Sequence, residues 1–153
     1  MKILDILPAE NVVPDLHGST KAEVLGELAA AVCRRRADID KERLVEVLLD
    51  REKLGSTAIG EGIAIPHGKL MALDNVLAAF GRSSRGVDFS SLDGGPTRLF
   101  FLLIAPEDSS GAHLKALARV SRLLRNKDFR EKLLELNTRE DLYAAIREED
   151  EKY

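Results

Sequence analysis

The chain has 153 residues, which suits one compact domain whose core needs neither disulfides nor a structural metal. Its 23 Lys and Arg residues against 26 Asp and Glu give a net charge of −3, which offers no argument for binding nucleic acid. Cys33 is the single cysteine, so an internal disulfide is excluded and a reducing compartment is favoured. The sequence has no apolar run of membrane-spanning length and no secretory signal pattern. We therefore expect a cytoplasmic protein that does not insert into a membrane.

Two helices are predicted in the first third of the chain. Thr20 and Glu23 have capping-box spacing, in which each side chain satisfies the other residue's free backbone N–H. Asp40 is a suitable N-cap for a second helix that ends near Gly55. Apolar residues recur at helical intervals in both and should face the core. These residues are Leu25, Leu28, Ala29, Val32 and Cys33 in the first helix, and Leu44, Val45, Leu48 and Leu49 in the second.

The strongest strand signal is the apolar run Leu99–Ala105, which Pro106 closes. A continuous run of this length predicts a strand buried on both faces, at the centre of a sheet flanked by helices. Shorter extended segments are expected at Ser56–Gly60, at Val76–Phe80 and, between turns, at Val87–Phe89.

The chain after the central strand is predicted to be helical. His113 falls in the first turn of one helix, Thr138 caps the last, and the acidic tail from Glu148 should fray. The residues expected to face the core are Leu114, Leu117, Val120 and Leu124, then Phe129, Leu133 and Leu136, then Leu142 and Ile146. Strands interleaved with helices in this way predict an α/β fold with one sheet between helical layers.

The segment Gly60–Lys69 sets His67 among glycines and apolar residues. A neutral imidazole can act as a nucleophile near physiological pH. We expect Pro66 and Gly68 to hold the ring on a turn, with Lys69 as a neighbouring cation. Two interpretations stay open from these residues alone. His67 is either a site of reversible phosphorylation, with Lys69 and backbone N–H groups as donors, or a histidine that only closes a tight turn.

The spacing of the glycines and histidines argues against a nucleotide-binding site and a metal site. A dinucleotide fingerprint needs glycine where Ile65 stands, and a P-loop needs glycine at Ile63 and Ser or Thr at Leu70. The three histidines also lack the paired helical spacing of zinc hydrolases. We expect neither a metal nor a cofactor.

Several other polar residues have two interpretations. The helix dipole favours a neutral ring at His113, which could donate to a phosphoryl oxygen or could simply be exposed. Arg51, in the last turn of the second helix, could bind phosphoryl oxygens or only the free carbonyls of the helix end. Glu52 and Lys53 are expected to be solvated, and His17 to be an ordinary loop residue.

The segment Arg51–Leu70 resembles the active-site signature of IIA proteins of the phosphotransferase system, and is most similar to their nitrogen-regulatory branch. The similarity continues through the strand Leu99–Ile104, the following Ala105-Pro106, and His113-Leu114, and so covers nearly the whole chain. The resemblance implies one EIIA type-2 domain over residues 1–153. Its core would span about 3–147, with a mixed sheet flanked by helices and an acidic C-terminal tail.

The resemblance also implies a function. The histidine matching His67 accepts a phosphoryl group on Nε2 from a phosphohistidine of an HPr-like (NPr) carrier, and residues matching Arg51 and His113 help to hold the phosphate. The phosphorylation state would then regulate a target such as a transporter, a kinase or a transcription regulator. Two alternatives stay open. One is a sugar-specific fructose or mannitol IIA component that passes phosphate to a IIB domain, and the other is a non-phosphorylated binding module of the same fold.

Glu61 departs from the family pattern, because nitrogen-regulatory members typically carry asparagine at this position. A carboxylate near an arriving phosphoryl group is repulsive unless it faces solvent or pairs with a cation such as Lys69. We expect phosphorylation to survive with an altered equilibrium. Ile63 and Ile65 could help to shape a docking face for the partner, although we expect at least one to be buried.

Overall fold

The structure, a computed structural model, describes residues 1–71 and 73–153. Two short 3-10 turns, Ile3–Asp5 and Ala9–Asn11, precede the first strand. The strands are β1 (Val12–Val13), β2 (Ala58–Gly60), β3 (Ile63–Ala64), β4 (His67–Leu70), β5 (Leu77–Val87) and β6 (Thr97–Pro106). The helices are α1 (Lys21–Arg35), α2 (Lys41–Lys53), α3 (Ser110–Leu124), α4 (Lys127–Glu135) and α5 (Arg139–Asp150).

The strands form one mixed sheet around β6. The order is β1-β5-β6-β3-β2, and β4 also pairs with β6. β5 is antiparallel to β6, whereas β3 and β4 are parallel to it and follow one another along its other edge. The register places Ile63 beside Leu99 and His67 beside Leu103. The position of His67 is therefore fixed by the central strand.

β6 is the central buried strand that its apolar run predicts. Its side chains alternate between two cores, with Leu99, Phe101 and Leu103 on one side and Phe100, Leu102 and Ile104 on the other. The first core is covered by α3, α4 and α5, and the second by α1 and α2. The predicted α/β fold with a sheet between helical layers is confirmed.

The predicted helix caps are formed, with one difference. Thr20 accepts the backbone N–H of Glu23 at 3.2 Å, and Asp40 and Thr138 cap α2 and α5. The carboxylate of Glu23 instead accepts the backbone N–H of Ser19 at 3.1 Å, so the return bond of the capping box reaches one residue further back than predicted.

The inner face of α3 differs from the prediction. Leu114 is 66% exposed, whereas His113 is only 7% exposed. The residues of α3 that face the core are His113, Ala116, Val120, Leu123 and Leu124. Val120 and Leu124 face the core as predicted and Leu117 packs against it, so only the first predicted position, Leu114, is wrong.

Strand β5 is longer than the predicted segment Val76–Phe80. It continues to Val87 through two buried polar residues, Arg82 and Ser83, which interrupt the apolar pattern. The guanidinium of Arg82 donates to the carbonyl oxygen of Leu134 at 2.8 Å, and Oδ1 of Asp15, 3.7 Å from Nη2, compensates its charge.

The expected fraying of the acidic tail is wrong. Helix α5 continues to Asp150, whose residue surface is only 2% exposed. Its carboxylate accepts the backbone N–H groups of Ile3 at 2.7 Å and Leu4 at 3.4 Å, and the Nε–H of Arg119 at 2.8 Å. These bonds tie the end of α5 to the first turn of the chain and to α3.

Asp150→Asn is expected to lower the free energy of unfolding by about 2 kcal/mol, since it removes the charge that the partly buried Arg119 and two backbone amides share. Urea denaturation at pH 7 measures the change. Glu151→Gln, at an exposed position beside it, is the control. A loss below about 0.5 kcal/mol for Asp150→Asn would mean that the carboxylate does not hold the chain start.

Candidate functional site

His67 opens β4, so its ring is carried by a strand and not by the tight turn that we expected. Its Nδ1 lies 2.8 Å from the carbonyl oxygen of Ile65, and its Nε2 lies 3.3 Å from Nε of Arg51. Arginine can only donate, so Nε2 carries the lone pair and Nδ1–H donates to Ile65. The ring is thus held in the tautomer that leaves Nε2 available as a nucleophile.

His113, from the first turn of α3, completes a pair of imidazoles. Its ring lies edge-on to that of His67, with the centroids 5.3 Å apart and the planes at 76°. Its Nε2 is buried and has no hydrogen-bond partner among residues 1–71 and 73–153. Lys69, two residues along β4 from His67, donates to the hydroxyl of Ser110 at 3.1 Å and adds positive charge near this ring.

Arg51 reaches the site because α2 packs closely on β4. A Cβ atom at Gly68 would lie 2.7 Å from Cγ1 of Val47 in α2, so only glycine permits this approach. The guanidinium is also fixed by a bond from Nη1 to the carbonyl oxygen of Gly55 at 2.9 Å. The structure therefore brings together Arg51, His67 and His113, as the resemblance implied.

The surroundings of both imidazoles favour the neutral ring. Burial lowers the pKa of His67, and the charge of Arg51 lowers it further, while the Ile65 carbonyl and Glu52 oppose the shift. Burial also lowers the pKa of His113, with help from His67 and Lys69. A neutral ring keeps its lone pair, which an attack by nitrogen requires.

Glu52 was missed in the sequence, where it was expected to be solvated. Its residue surface is 7% exposed, and its carboxylate accepts the ammonium of Lys21 at 3.1 Å and the backbone N–H of Thr57 at 3.2 Å. One signal could have found it. An acidic residue in the last turn of a helix faces the negative end of the dipole and so needs a compensating partner.

Glu61 lies away from this group of residues and its side chain is 76% exposed, which is the solvent-facing case in which repulsion of the phosphoryl group is not expected. The register along β6 separates Ile63 from His67 by four residues, about 13 Å, and Glu61 lies beyond Ile63. Its carboxylate lies 3.6 Å from Nη2 of Arg130, whereas Lys69, the expected cation partner, donates to Ser110. Its backbone has a positive φ of 57°, a conformation that asparagine adopts more readily than glutamate.

Glu61→Asn is therefore expected to leave the phosphoryl-transfer equilibrium unchanged and to raise the free energy of unfolding by about 0.5–1 kcal/mol. Urea denaturation and the equilibrium with a phosphorylated carrier measure the two effects. Glu61→Gln removes the charge but keeps the strained backbone, so it should match the wild type in both. A change of more than about twofold in the transfer equilibrium for Glu61→Gln would restore a role for the charge.

The apolar residues that could contact a partner differ from those considered in the sequence. Ile63 and Ile65 are both buried, so neither forms a docking face. Two exposed apolar side chains near the site are Leu54, on the shallow groove of about 440 Å³ that contains His67, and Leu114, the residue after His113. The other residues that line this groove are Arg43, Val47, Asp50, Arg51, Gly68, Lys69 and His113.

His17 and Cys33 lie outside the site. The backbone N–H of His17 donates to the carboxylate of Glu27, which anchors the loop before α1. Cys33 is partly buried against the core that α1 and α2 cover, and burial raises the pKa of its thiol. In the described part of the chain, no group of three or more His, Cys, Asp or Glu side chains could hold a metal ion, and no helix is long and apolar enough to cross a membrane.

The family is decided by comparison with known proteins. Residues 5–149 match the model of the phosphoenolpyruvate-dependent sugar phosphotransferase system, EIIA 2. The chain belongs to this EIIA family. It is 44% identical over 146 residues to the nitrogen regulatory protein of Bradyrhizobium diazoefficiens, with 95% of each chain covered.

Two further relatives place the chain within the EIIA family. The crystal structure of nitrogen regulatory protein IIA-Ntr from Neisseria meningitidis superposes with a TM-score of 0.87 at 33% identity, covering 94% of this chain and 98% of that one. The fructose-specific EIIABC component of Bacillus subtilis is 37% identical over 98% of this chain, which spans only 24% of that longer protein. This EIIA chain is thus similar to these two nitrogen regulatory proteins over nearly their whole length and to one segment of the EIIABC component.

Proposed function

We propose that the chain is a phosphocarrier that accepts a phosphoryl group on Nε2 of His67 and regulates target proteins according to its phosphorylation state. The observation that carries the proposal is the geometry of that nitrogen. The hydrogen bond from Nδ1–H to Ile65 leaves Nε2 unprotonated, and Nε2 lies on an open groove beside Arg51 and His113. Membership of the EIIA family supports phosphoryl transfer as the chemistry.

The donor is a phosphohistidine of an HPr-like or NPr-like carrier. The lone pair of Nε2 forms the new N–P bond as the N–P bond of the donor breaks, and the electron pair of that bond stays on the donor nitrogen. Nδ1 keeps its proton throughout, held on the carbonyl of Ile65. No metal, nucleotide or other cofactor takes part, because the transferred group needs mainly alignment and charge compensation.

Arg51 and His113 supply that compensation. When the phosphoryl group occupies Nε2, the Nε–H of Arg51 is released from this nitrogen and donates to a phosphoryl oxygen beside it. The unpartnered Nε2 of His113 gives a second donor once it carries the ring proton. Leu54 and Leu114 offer apolar contact area to the arriving carrier around these charges.

A regulatory role is favoured over a sugar-specific one because the relative at 44% identity is a nitrogen regulatory protein. Length does not separate the two roles, since a fructose-specific EIIA component of Haloferax volcanii is 37% identical with 95% of each chain covered. The fructose-specific relative supports the alternative of passing phosphate to a IIB domain. A binding module that is never phosphorylated is disfavoured by the intact group of Arg51, His67 and His113. Each of these roles places the chain in the cytoplasm, where carrier and target would meet it.

The decisive experiment incubates the chain with phosphoenolpyruvate, the upstream enzyme and an HPr-type carrier, and then measures intact mass. A gain of one phosphoryl group is expected, and its absence beside a working control protein would refute the phosphocarrier proposal. The phosphorylated chain is then mixed with a fructose-type and a mannitol-type IIB domain. Rapid transfer to either domain would replace the regulatory role with the sugar-specific one.

A further inference from the structure

Glu52 is a buried carboxylate in an unfavourable place. Its side chain is 3% exposed in the last turn of α2, where the helix dipole is negative. It is held by the ammonium of Lys21, by the hydroxyl of Thr57 and by the backbone N–H of Thr57, which lies 3.2 Å from both carboxylate oxygens. Burying a paired charge contributes little net stability, so stability alone is a weak reason for a carboxylate here.

The bonds continue from Glu52 to the imidazole of His67. The carbonyl oxygen of Thr57 accepts the N–H of Ile65 at 3.0 Å, and the carbonyl oxygen of Ile65 accepts Nδ1–H of His67 at 2.8 Å. Three hydrogen bonds in series therefore join the carboxylate to the ring. The antiparallel pairing of β2 with β3, which starts one residue further on with Ala58 beside Ala64, keeps the middle link in register.

We propose that Glu52 is a positioning residue for phosphoryl transfer, acting through Thr57 and Ile65 to fix the Nδ1–H tautomer of His67 and to stabilise the positive charge that the ring gains when Nε2 bonds to phosphorus. The proposal rests on the proposed function of His67 as the phosphoryl acceptor. Atoms balance as in the direct transfer, since the N–P bond passes from donor to Nε2 and the Nδ1 proton stays in place.

Two physical effects support this role. The bonds through Thr57 and Ile65 hold the carbonyl oxygen of Ile65 2.8 Å from Nδ1 of His67, where it accepts Nδ1–H and favours this tautomer. The negative charge also acts on the ring directly, because Glu52 raises the pKa of His67 against the burial and the Arg51 charge that lower it. Arg51 and Glu52 are adjacent in α2. The end of this helix therefore places a cation beside Nε2 of His67 and also the carboxylate that starts the series of hydrogen bonds ending at Nδ1.

The test compares Glu52→Gln with Asp150→Asn. Glutamine keeps the size of Glu52 and can still accept from Thr57, but it lacks the charge. Asp150 is a matched control, since it is also buried at the end of a helix, paired with a cation and bonded to backbone N–H groups. Within the described residues its carboxylate binds Ile3, Leu4 and Arg119, and none of these bonds to the ring of His67. Imidazole ¹⁵N NMR of the unphosphorylated chain gives the tautomer and pKa of His67, and the equilibrium with a phosphorylated HPr-type carrier gives the transfer constant.

Glu52→Gln is expected to lower the pKa of His67 and to reduce the transfer equilibrium constant by about three- to tenfold. Asp150→Asn should lose stability while both quantities stay at their wild-type values. The proposal is overturned if Glu52→Gln leaves both unchanged, or if Asp150→Asn moves them equally. A Lys21→Gln/Glu52→Gln double variant, which leaves no unpaired lysine, gives the same comparison where the single variant folds poorly.

The proposed function and the role of Glu52 can fail separately. If no HPr-type carrier phosphorylates the wild-type chain, the phosphocarrier proposal fails. The pKa and tautomer of His67 are measured without phosphate, so they still decide whether Glu52 acts on the ring.

Discussion

His67→Ala is expected to take up no phosphoryl group from a phosphorylated carrier under conditions in which the wild-type chain is fully phosphorylated. The reason is that the variant lacks the Nε2 lone pair, which the bond from Nδ1–H to Ile65 leaves available beside Arg51 on the groove. Intact mass at neutral pH measures uptake, since phosphohistidine is retained there. His67→Gln, which preserves much of the side-chain volume, should behave in the same way.

Two controls make this result specific. His17→Ala should be phosphorylated like the wild type, because His17 lies on the loop before α1, outside the site. Equal uptake by His67→Ala would show that the acceptor had been misassigned. Peptide mapping of the phosphorylated variant would then identify the true acceptor.

His113→Ala is expected to slow transfer by about 10²- to 10³-fold, as removal of a preorganised donor does at other sites where charge must be stabilised. The ring is buried against His67 and its Nε2 is free to donate to a phosphoryl oxygen. Single-turnover transfer from a phosphorylated carrier, measured by rapid quench, gives the rate. The free energy of unfolding should also fall, because a buried side chain is truncated.

His113→Gln separates these two effects, since its side-chain amide restores both a donor and much of the volume. We expect it to recover part of the rate lost in His113→Ala. If His113→Ala transferred phosphate within about twofold of the wild-type rate while losing stability, the role of His113 would be packing alone.

The sequence predicted those parts of the fold that depend on long apolar runs or on local caps. The run Leu99–Ala105 identified the central strand, and Thr20, Asp40 and Thr138 identified three helix starts. It failed where polar side chains find partners far along the chain. Asp150 is buried because it binds Ile3 and Leu4, 147 and 146 residues away, and no local pattern contains that information.

The resemblance to a known motif predicted the site residues more fully than helical periodicity and local charge patterns did. The helical periodicity predicted that Leu114 faces the core and allowed His113 to be exposed. In the structure Leu114 is exposed and His113 is buried. Glu52 was missed because its partners, Lys21 and Thr57, come from other elements. A charge effect of Glu61 on the site was considered because it is close to His67 in sequence, but in an extended chain residues six positions apart lie far from each other.

The attachment of His67 to β6 has a consequence for dynamics. The N–H of Leu103, in the strand shared by both cores, donates to the carbonyl of Pro66 immediately before His67. Amides of such a strand exchange with solvent only when the protein opens globally, so the backbone that carries the imidazole belongs to the last region to unfold. A partner that distinguishes the proposed phosphorylated form from the unphosphorylated form would therefore meet the same backbone in both. It would respond to the added charge and volume of the phosphoryl group more than to any movement of the backbone.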